Sequence, residues 1–213
     1  MEFIDSQIND YAEWHTSPES ELLQRINRET NIEVLHPRML SGHLQGRILA
    51  MVAKMISPAY IVEIGTYTGY SALCMAEGLN KDGKLITIEF NEELKDRVQG
   101  YFNESRYTEL LDLRIGDATE ILPTLESGID LVFIDADKVN YLNYYNMIID
   151  KIKPGGYILA DNVLWSGKVI EEASPDDVDT IALKKFNTFV KEDERVENVL
   201  LPVRDGLMLI RKK

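Results

Sequence analysis

The stretch Ile61-Val62-Glu63-Ile64-Gly65-Thr66-Tyr67-Thr68-Gly69-Tyr70-Ser71 sets the reading of the whole chain. A β-branched run ends in two glycines four apart, and a helical stretch from Ala72 to Leu79 follows. This is the pattern of a buried strand, a tight turn and a helix start. Glycine lets a ligand approach the backbone closely, and the free amides of a helix start attract negative groups. The spacing, E-x-G-x-x-x-G, is not the G-x-G-x-x-G fingerprint of dinucleotide sites. The next apolar run, Leu85-Ile86-Thr87-Ile88, ends in Glu89. An acid at the end of a second strand commonly binds the ribose hydroxyls of a nucleoside. Together the two features predict a nucleoside cofactor site.

Working outward, the chain alternates. Strands are expected at 60–64, 85–89, 111–115, 130–134 and 157–160, and helices at 70–79, 92–104, 118–126 and 139–151. Alternation of this kind means a parallel sheet covered by helices on both faces. The end differs: Val196 to Val203, a turn at Arg204-Asp205-Gly206, then Leu207 to Ile210 read as a β-hairpin. Before the core, residues 1 to 35 read as two polar helices, with Ser17-Pro18-Glu19 as cap, first-turn proline and helix-start acid. Leu22, Leu23 and Ile26 form an apolar stripe there. Leu44, Ile48, Leu49, Val52, Met55 and Ile56 recur at helical spacing.

Two strand ends carry oxygen ligands. Phe133-Ile134 runs into Asp135-Ala136-Asp137-Lys138, and Ile158-Leu159-Ala160 runs into Asp161-Asn162 after a Pro154-Gly155-Gly156 turn. If the strands are parallel neighbours, ~4.8 Å apart, Asp135, Asp161 and Asn162 emerge on one sheet edge and can share an ion. Such hard donors suit Mg²⁺, Mn²⁺ or Ca²⁺ rather than zinc. Aspartate and asparagine in loops are more often turn formers; the nearby nucleoside motif is what favours ligation here.

The bulk numbers bound the answer. At 213 residues with 45% hydrophobic content, the chain suits one sizeable α/β domain, residues 1–213, with 1–38 as a helical extension. The acidic start Met1 to Asp5 lacks a basic region followed by an apolar one, so no secretory signal is expected. The one cysteine, Cys74, reads as a small core residue, and a cytoplasmic location follows from both facts. A net charge of −13, from 23 basic and 36 acidic side chains, disfavours nonspecific attraction to nucleic acid or anionic membranes. No apolar run reaches the length of a membrane span.

From about Met39 onward the sequence resembles the cation-dependent small-molecule O-methyltransferases, the group of caffeoyl-CoA and catechol O-methyltransferases and their bacterial relatives. The motifs V-E-I-G-T-Y-T-G-Y-S, F-I-D-A-D-K and A-D-N-V-L-W-S-G carry the resemblance. It implies a three-layer, doubly wound α/β fold, that of class I S-adenosylmethionine-dependent methyltransferases, with a seven-stranded, mostly parallel sheet and a C-terminal antiparallel hairpin. It implies S-adenosylmethionine across the strand ends, its methionine part near Met39, Ser41, Glu63, Gly65 and Ser71, with Thr66 and Tyr67 in the turn. Glu89 would take the ribose, Gly116-Asp117-Ala118 would border the adenine, and Asp135 would adjoin the cofactor. Asp135, Asp161 and Asn162 would hold the cation, and Lys138 would be the general base. A homodimer is expected on the same ground.

The implied acceptor is a small aromatic with adjacent hydroxyls. Trp165 reads equally as a wall of the acceptor pocket or a plain core residue. Ser166 stands where the plant enzymes carry an acceptor-touching Asn or Asp, which puts a coenzyme A-linked acceptor in question. Asp137 reads as a helix-start acid, Tyr141, Tyr144 and Tyr145 as packing, and His43 as a possible edge of the cofactor pocket. The alternatives are a tRNA hydroxyuridine methyltransferase of the same fold, weakened because Lys168 is the one basic residue in 163–180, and, ranked lower, an NAD-binding oxidoreductase.

Overall fold

The computed structural model describes residues 5–213; the acidic start read at Met1–Asp5 lies, apart from Asp5, outside the described residues. The sheet has seven strands: β1 (Tyr60–Ile64), β2 (Lys84–Glu89), β3 (Leu111–Ile115), β4 (Ile129–Ile134), β5 (Ile152–Asp161), β6 (Val196–Leu201) and β7 (Leu207–Lys212). Their order is β3-β2-β1-β4-β5-β7-β6. The first five pair in parallel, while β7 runs antiparallel to both β5 and β6. The winding reverses between β1 and β4. Ligand crevices open at such a reversal, outside the carboxyl ends of the strands.

Two apolar layers sandwich the sheet. On one face, α6 (Ala118–Ile121), α7 (Tyr141–Ile148) and α8 (Val178–Glu192) pack through Leu122, Tyr141, Tyr145, Leu183 and Phe186 onto Val62, Val132 and Ile158. On the other, α2 (Glu21–Glu33), α3 (Gly42–Ile56), α4 (Tyr70–Ala76) and α5 (Lys95–Glu104) pack through Ile26, Leu49, Met75 and Phe102 onto Ile61, Leu131 and Phe133. A short α1 (Ser6–Trp14) precedes them. Cys74 lies buried among them, and burial pushes its thiol up to about 12. Leu23 and Ile26, from the predicted stripe, are core residues.

The structure corrects several local expectations. The cap of α2 is Ser20, whose hydroxyl accepts from the Leu23 amide, not Ser17. The Pro-Gly-Gly segment does not precede β5 but bulges within it: Ile129 pairs with Ile152, yet Leu131 pairs with Tyr157. The expected helix 70–79 stops at Ala76, because the backbone at Gly78 presses on Ala53 of α3, where a Cβ would lie 2.3 Å from a carbonyl carbon. Pro123 breaks the expected 118–126 helix into α6 and a 3-10 turn. The expected 139–151 helix has 3-10 turns at both ends, leaving α7 between them.

The turn after β1 is where glycine is obligatory. Gly65 has φ +98°, and a Cβ there would fall 1.9 Å from the Asp135 carbonyl oxygen, so the end of β4 lies directly against the turn. Gly69, at φ +79°, caps α4 in the left-handed region.

Candidate active site

The strand ends open into a cleft of two adjoining lobes, about 700 and 460 Å³, which share Met39, Gly65, Tyr67, Asp135, Ala136 and Asp137. The smaller lobe runs over Glu89, Gly116, Asp117 and Ala118. Glu89 accepts the backbone amides of Tyr67 at 2.7 Å and Asn91 at 2.9 Å, one on each oxygen, and keeps lone pairs facing the lobe. The larger lobe takes in Ser41, Thr66, Ser71, Lys138, Asp161, Asn162 and Trp165.

Glu63 departs from expectation. It does not line the cleft wall but is wholly buried behind it, accepting from the Thr87 hydroxyl, which in turn bonds Thr66. Burial raises its carboxyl to about 8, opposed by the Ser71 and Thr87 hydroxyls and reinforced by the charges of Asp135 and Glu89. Its Oε1 has no hydrogen-bond partner among the described residues. A buried carboxyl oxygen left open behind Ser71 is an acceptor that the described residues do not satisfy.

The oxygen donors converge as the strand pairing requires. Phe133 and Ile134 of β4 stand beside Leu159 and Ala160 of β5, so Asp135 and Asp161 leave neighbouring strand ends. Burial pushes the Asp161 carboxyl above its usual range, and the negative charge of Asp135 adds to this. Its Oδ1 accepts the Asn162 amide at 2.8 Å and its Oδ2 the Gln45 side-chain amide at 2.6 Å. Asn162 itself adopts φ +58°, a conformation asparagine tolerates better than most residues. No group of three His, Cys, Asp or Glu side chains converges among the described residues; the donor set is two carboxylates and an amide. Two close carboxylates short of positive charge, all donors hard oxygens, fit a divalent cation of the Mg²⁺, Mn²⁺ or Ca²⁺ kind.

Lys138 is buried, 3.2 Å from Asp135 Oδ1. It also donates to the Tyr141 hydroxyl at 2.7 Å, and that hydroxyl donates to the Asp161 carbonyl at 2.9 Å. The Trp165 ring stands 5.8 Å from the ammonium and lines the cleft. Tyr141 therefore does more than pack: it holds the lysine between the two strand ends. The visible signal was its i,i+3 spacing from Lys138, which packing explains equally well.

Other assignments change. Ser166 is absent from the cleft lining; three successive left-handed residues, Trp165, Ser166 and Gly167, turn the chain, and the Ser166 amide donates to Asp205. Asp137 stands at the N-cap position of the 3-10 turn Lys138–Asn140, as a helix-start acid does, but its side chain makes no cap hydrogen bond; it lines both lobes, held by the Tyr144 hydroxyl and the Asn140 side-chain amide. His43 faces away, bonded to the Ser17 carbonyl, and His36 borders the cleft instead. Arg38, Asp179, Arg204 and Asp205 also line it and were not foreseen. Lys168 pairs with Asp177 at 2.9 Å, so no basic rim forms along 163–180.

Residues 13–213 match the family described as O-methyltransferase. The chain belongs to this O-methyltransferase family. Among curated relatives, caffeoyl-CoA O-methyltransferase 1 of Eucalyptus globulus is 36% identical over 180 residues, 79% of this chain and 72% of that protein. A Podospora anserina methyltransferase solved with SAH superposes with a TM-score of 0.90 at 31% identity, covering 98% of this chain and 94% of that one. The O-methyltransferase TomG of Streptomyces achromogenes, solved with SAM, gives 0.88 at 26% identity, covering 97% and 96%. The protein is thus an S-adenosylmethionine-dependent O-methyltransferase, and the expected seven-stranded methyltransferase sheet is the one observed. Neither the tRNA nor the oxidoreductase alternative finds support. No helix among the described residues is long and apolar enough to cross a membrane.

Proposed function

We propose that this enzyme transfers a methyl group to one hydroxyl of a small aromatic acceptor bearing two adjacent hydroxyls, and that it does so with a bound divalent cation. The observation that carries the reading is the pair Asp135 and Asp161, two carboxylates on adjoining strand ends with the buried Lys138 against one of them and Asn162 beside the other. Asp135, Asp161 and Asn162 would hold the cation. When bound, it would lower the pKa of a chelating hydroxyl pair and orient it. As the neutral amine, the form that a nearby positive charge favours, Lys138 would accept the proton at Nζ, held in place by the Tyr141 hydroxyl. Trp165 forms a wall against the flat acceptor.

Glu89 takes the ribose hydroxyls, and Gly116, Asp117 and Ala118 border the base. Met39, Ser41, Gly65, Thr66, Tyr67 and Ser71 surround the amino-acid part, with the Glu63 carboxyl buried behind them. A sulfonium methyl is already activated, so holding acceptor and donor in line supplies most of the help needed, ~7–11 kcal/mol in well-oriented systems. The whole chain acts as one unit, and we place it in the cytoplasm as a homodimer. Leu23 and Ile26 being used internally, the C-terminal hairpin with its exposed Val199 remains a candidate surface for a second copy, alongside other exposed apolar side chains such as Met55, Trp14, Leu35 and Ile170.

Chelation decides the reading. With a catechol panel beside unmodified and hydroxylated tRNA, excess EDTA should abolish transfer to the catechol and Mg²⁺ or Mn²⁺ should restore it. Asp161→Ala should behave as chelation does while leaving S-adenosylmethionine binding intact by calorimetry. Full activity in excess EDTA would sink the metal mechanism, and methylation confined to tRNA would replace the acceptor.

A further inference from the structure

A bridge of three side chains reaches the site from the far end of the sequence. Arg204, in the β6–β7 turn at φ +49°, donates from Nη1 to Gln45 Oε1 at 3.0 Å and from Nη2 to the Leu40 carbonyl at 3.3 Å. Gln45, on α3 and 2% exposed, donates in turn from Nε2 to Asp161 Oδ2 at 2.6 Å. The amide can sit only one way round, because a guanidinium only donates and an ionised carboxylate only accepts. Each neighbour thus fixes the plane of the Gln45 amide, and the amide fixes one oxygen of Asp161. The Asn162 backbone amide fixes the other oxygen at 2.8 Å. Each oxygen retains a further lone pair, and Asp161 lines the cleft.

We propose that Gln45 and Arg204 are positioning residues that hold the Asp161 carboxylate in the orientation a divalent cation needs; this rests on the metal reading above. The neutral amide matters as much as its position. A guanidinium placed directly on Asp161 would cancel the charge that attracts the cation. Through one amide, Arg204 orients the carboxylate and leaves its charge free. The bridge also ties the C-terminal hairpin and the α3 start to the same ligand, so the cleft wall formed by Leu40, Ser41 and Arg204 is set together with the cation site.

The test uses the full chain and Mn²⁺, followed by electron paramagnetic resonance with SAH bound. Gln45→Met keeps the side-chain length and removes both hydrogen bonds. It should weaken Mn²⁺ binding by about 10–100-fold, the usual cost of losing an outer partner of a ligand, while SAH affinity stays unchanged. Arg204→Met should weaken it less, and Arg204→Lys should recover part of that loss. Should Gln45→Met fail to fold, the Arg204 pair carries the test, since Arg204 lies in a surface turn. Mn²⁺ affinity unchanged in Gln45→Met, or in Arg204→Met where only that variant folds, overturns the proposal. The Gln45 side-chain amide resonance of the cation-free protein is a separate readout, and it should move in both Asp161→Asn and Arg204→Met. A resonance that stays put in both means no bridge. A wild type that takes up no Mn²⁺ overturns the metal reading and with it the bridge's role, and the resonance still reports whether the bridge exists.

Discussion

Asp130 and Asp161 stand at opposite ends of neighbouring strands and are equally buried, each 3% exposed. Their surroundings differ completely. Asp130, at the start of β4, accepts the backbone amides of Ala59 and Tyr60, both at 2.8 Å, and pairs with Lys153. Burial pushes its carboxyl up, but those partners outweigh it and hold the group below its usual range. Asp161, at the end of β5, receives two neutral hydrogen bonds and faces a second carboxylate, and it ends above its usual range. One edge of the sheet spends its charges on itself. The other keeps negative charge in reserve, and that edge is the cleft. Burial alone therefore says little about function; the degree to which a buried charge is left uncompensated says a great deal.

Four experiments would break or sharpen this contrast. The largest effect is expected at Lys138, the one basic side chain lodged against Asp135 and offsetting the two carboxylates only in part. Lys138→Ala should keep cofactor binding and lose rate by ~10²–10⁴-fold if it is the general base, with the loss shrinking as pH rises and hydroxide takes over. An unaltered kcat would remove the base from the mechanism. Next comes the compensated edge. Asp130→Ala strands two backbone amides and should cost about 2–4 kcal/mol of stability, read from denaturant midpoints, with the activity of the folded protein untouched. Wild-type stability in that variant would refute the assignment of Asp130 to structure.

Glu63 gives the third test, through pH. Its folded-state value of about 8 lies above the ordinary 4.5, so the proton favours the folded form. That contribution is whole below the ordinary value and is lost as pH rises through the folded one. The cofactor-free protein should lose stability across that interval, by no more than ~1.4 kcal/mol per pH unit for one proton. Glu63→Gln should flatten the slope, and an identical slope would mean that Glu63 ionises normally. The smallest effect is expected at Glu89, which is half compensated by its two amide donors. Glu89→Gln should weaken S-adenosylmethionine binding by ~1 kcal/mol; calorimetry with no change would take Glu89 out of the cofactor site.

How far the sequence revealed the site follows from where each residue sits along the chain. Asp135, Asp161, Glu89 and Gly65 were legible because each closes a short apolar run, and strand order then brings the run ends together. Gln45 and Arg204 were not, since they meet across 159 residues from a helix and a hairpin turn, and no local pattern records such a meeting. Asp137 was read as a helix-start acid, which its position bears out, and Tyr141 as packing; that both also face the site is visible only in their side-chain partners. The cap of α2 was misplaced for a similar reason. Ser17 stands before Pro18-Glu19 and Ser20 before Glu21, and the Leu23 amide chooses the second serine. The strands were read closely except β5, whose first five residues were hidden by the Pro-Gly-Gly bulge; helix ends were read less well, because Pro123 and the contact at Gly78 act on the chain without changing the apolar pattern.

Gly65 sets a limit on how this enzyme can be re-engineered. The space a Cβ would need is filled by the Asp135 carbonyl oxygen, 1.9 Å away. The partition between the turn proposed to lie beneath the cofactor and the carboxylate proposed to hold the cation is one atom thick. Any side chain introduced there to admit a bulkier sulfonium donor would shift Asp135 before it reshaped the donor's seat, so on the proposed reading donor choice and cation affinity would change in a single stroke. A library aimed at altered donors should leave Gly65 untouched and vary the opposite wall, where Met39 borders both lobes and remains 59% exposed.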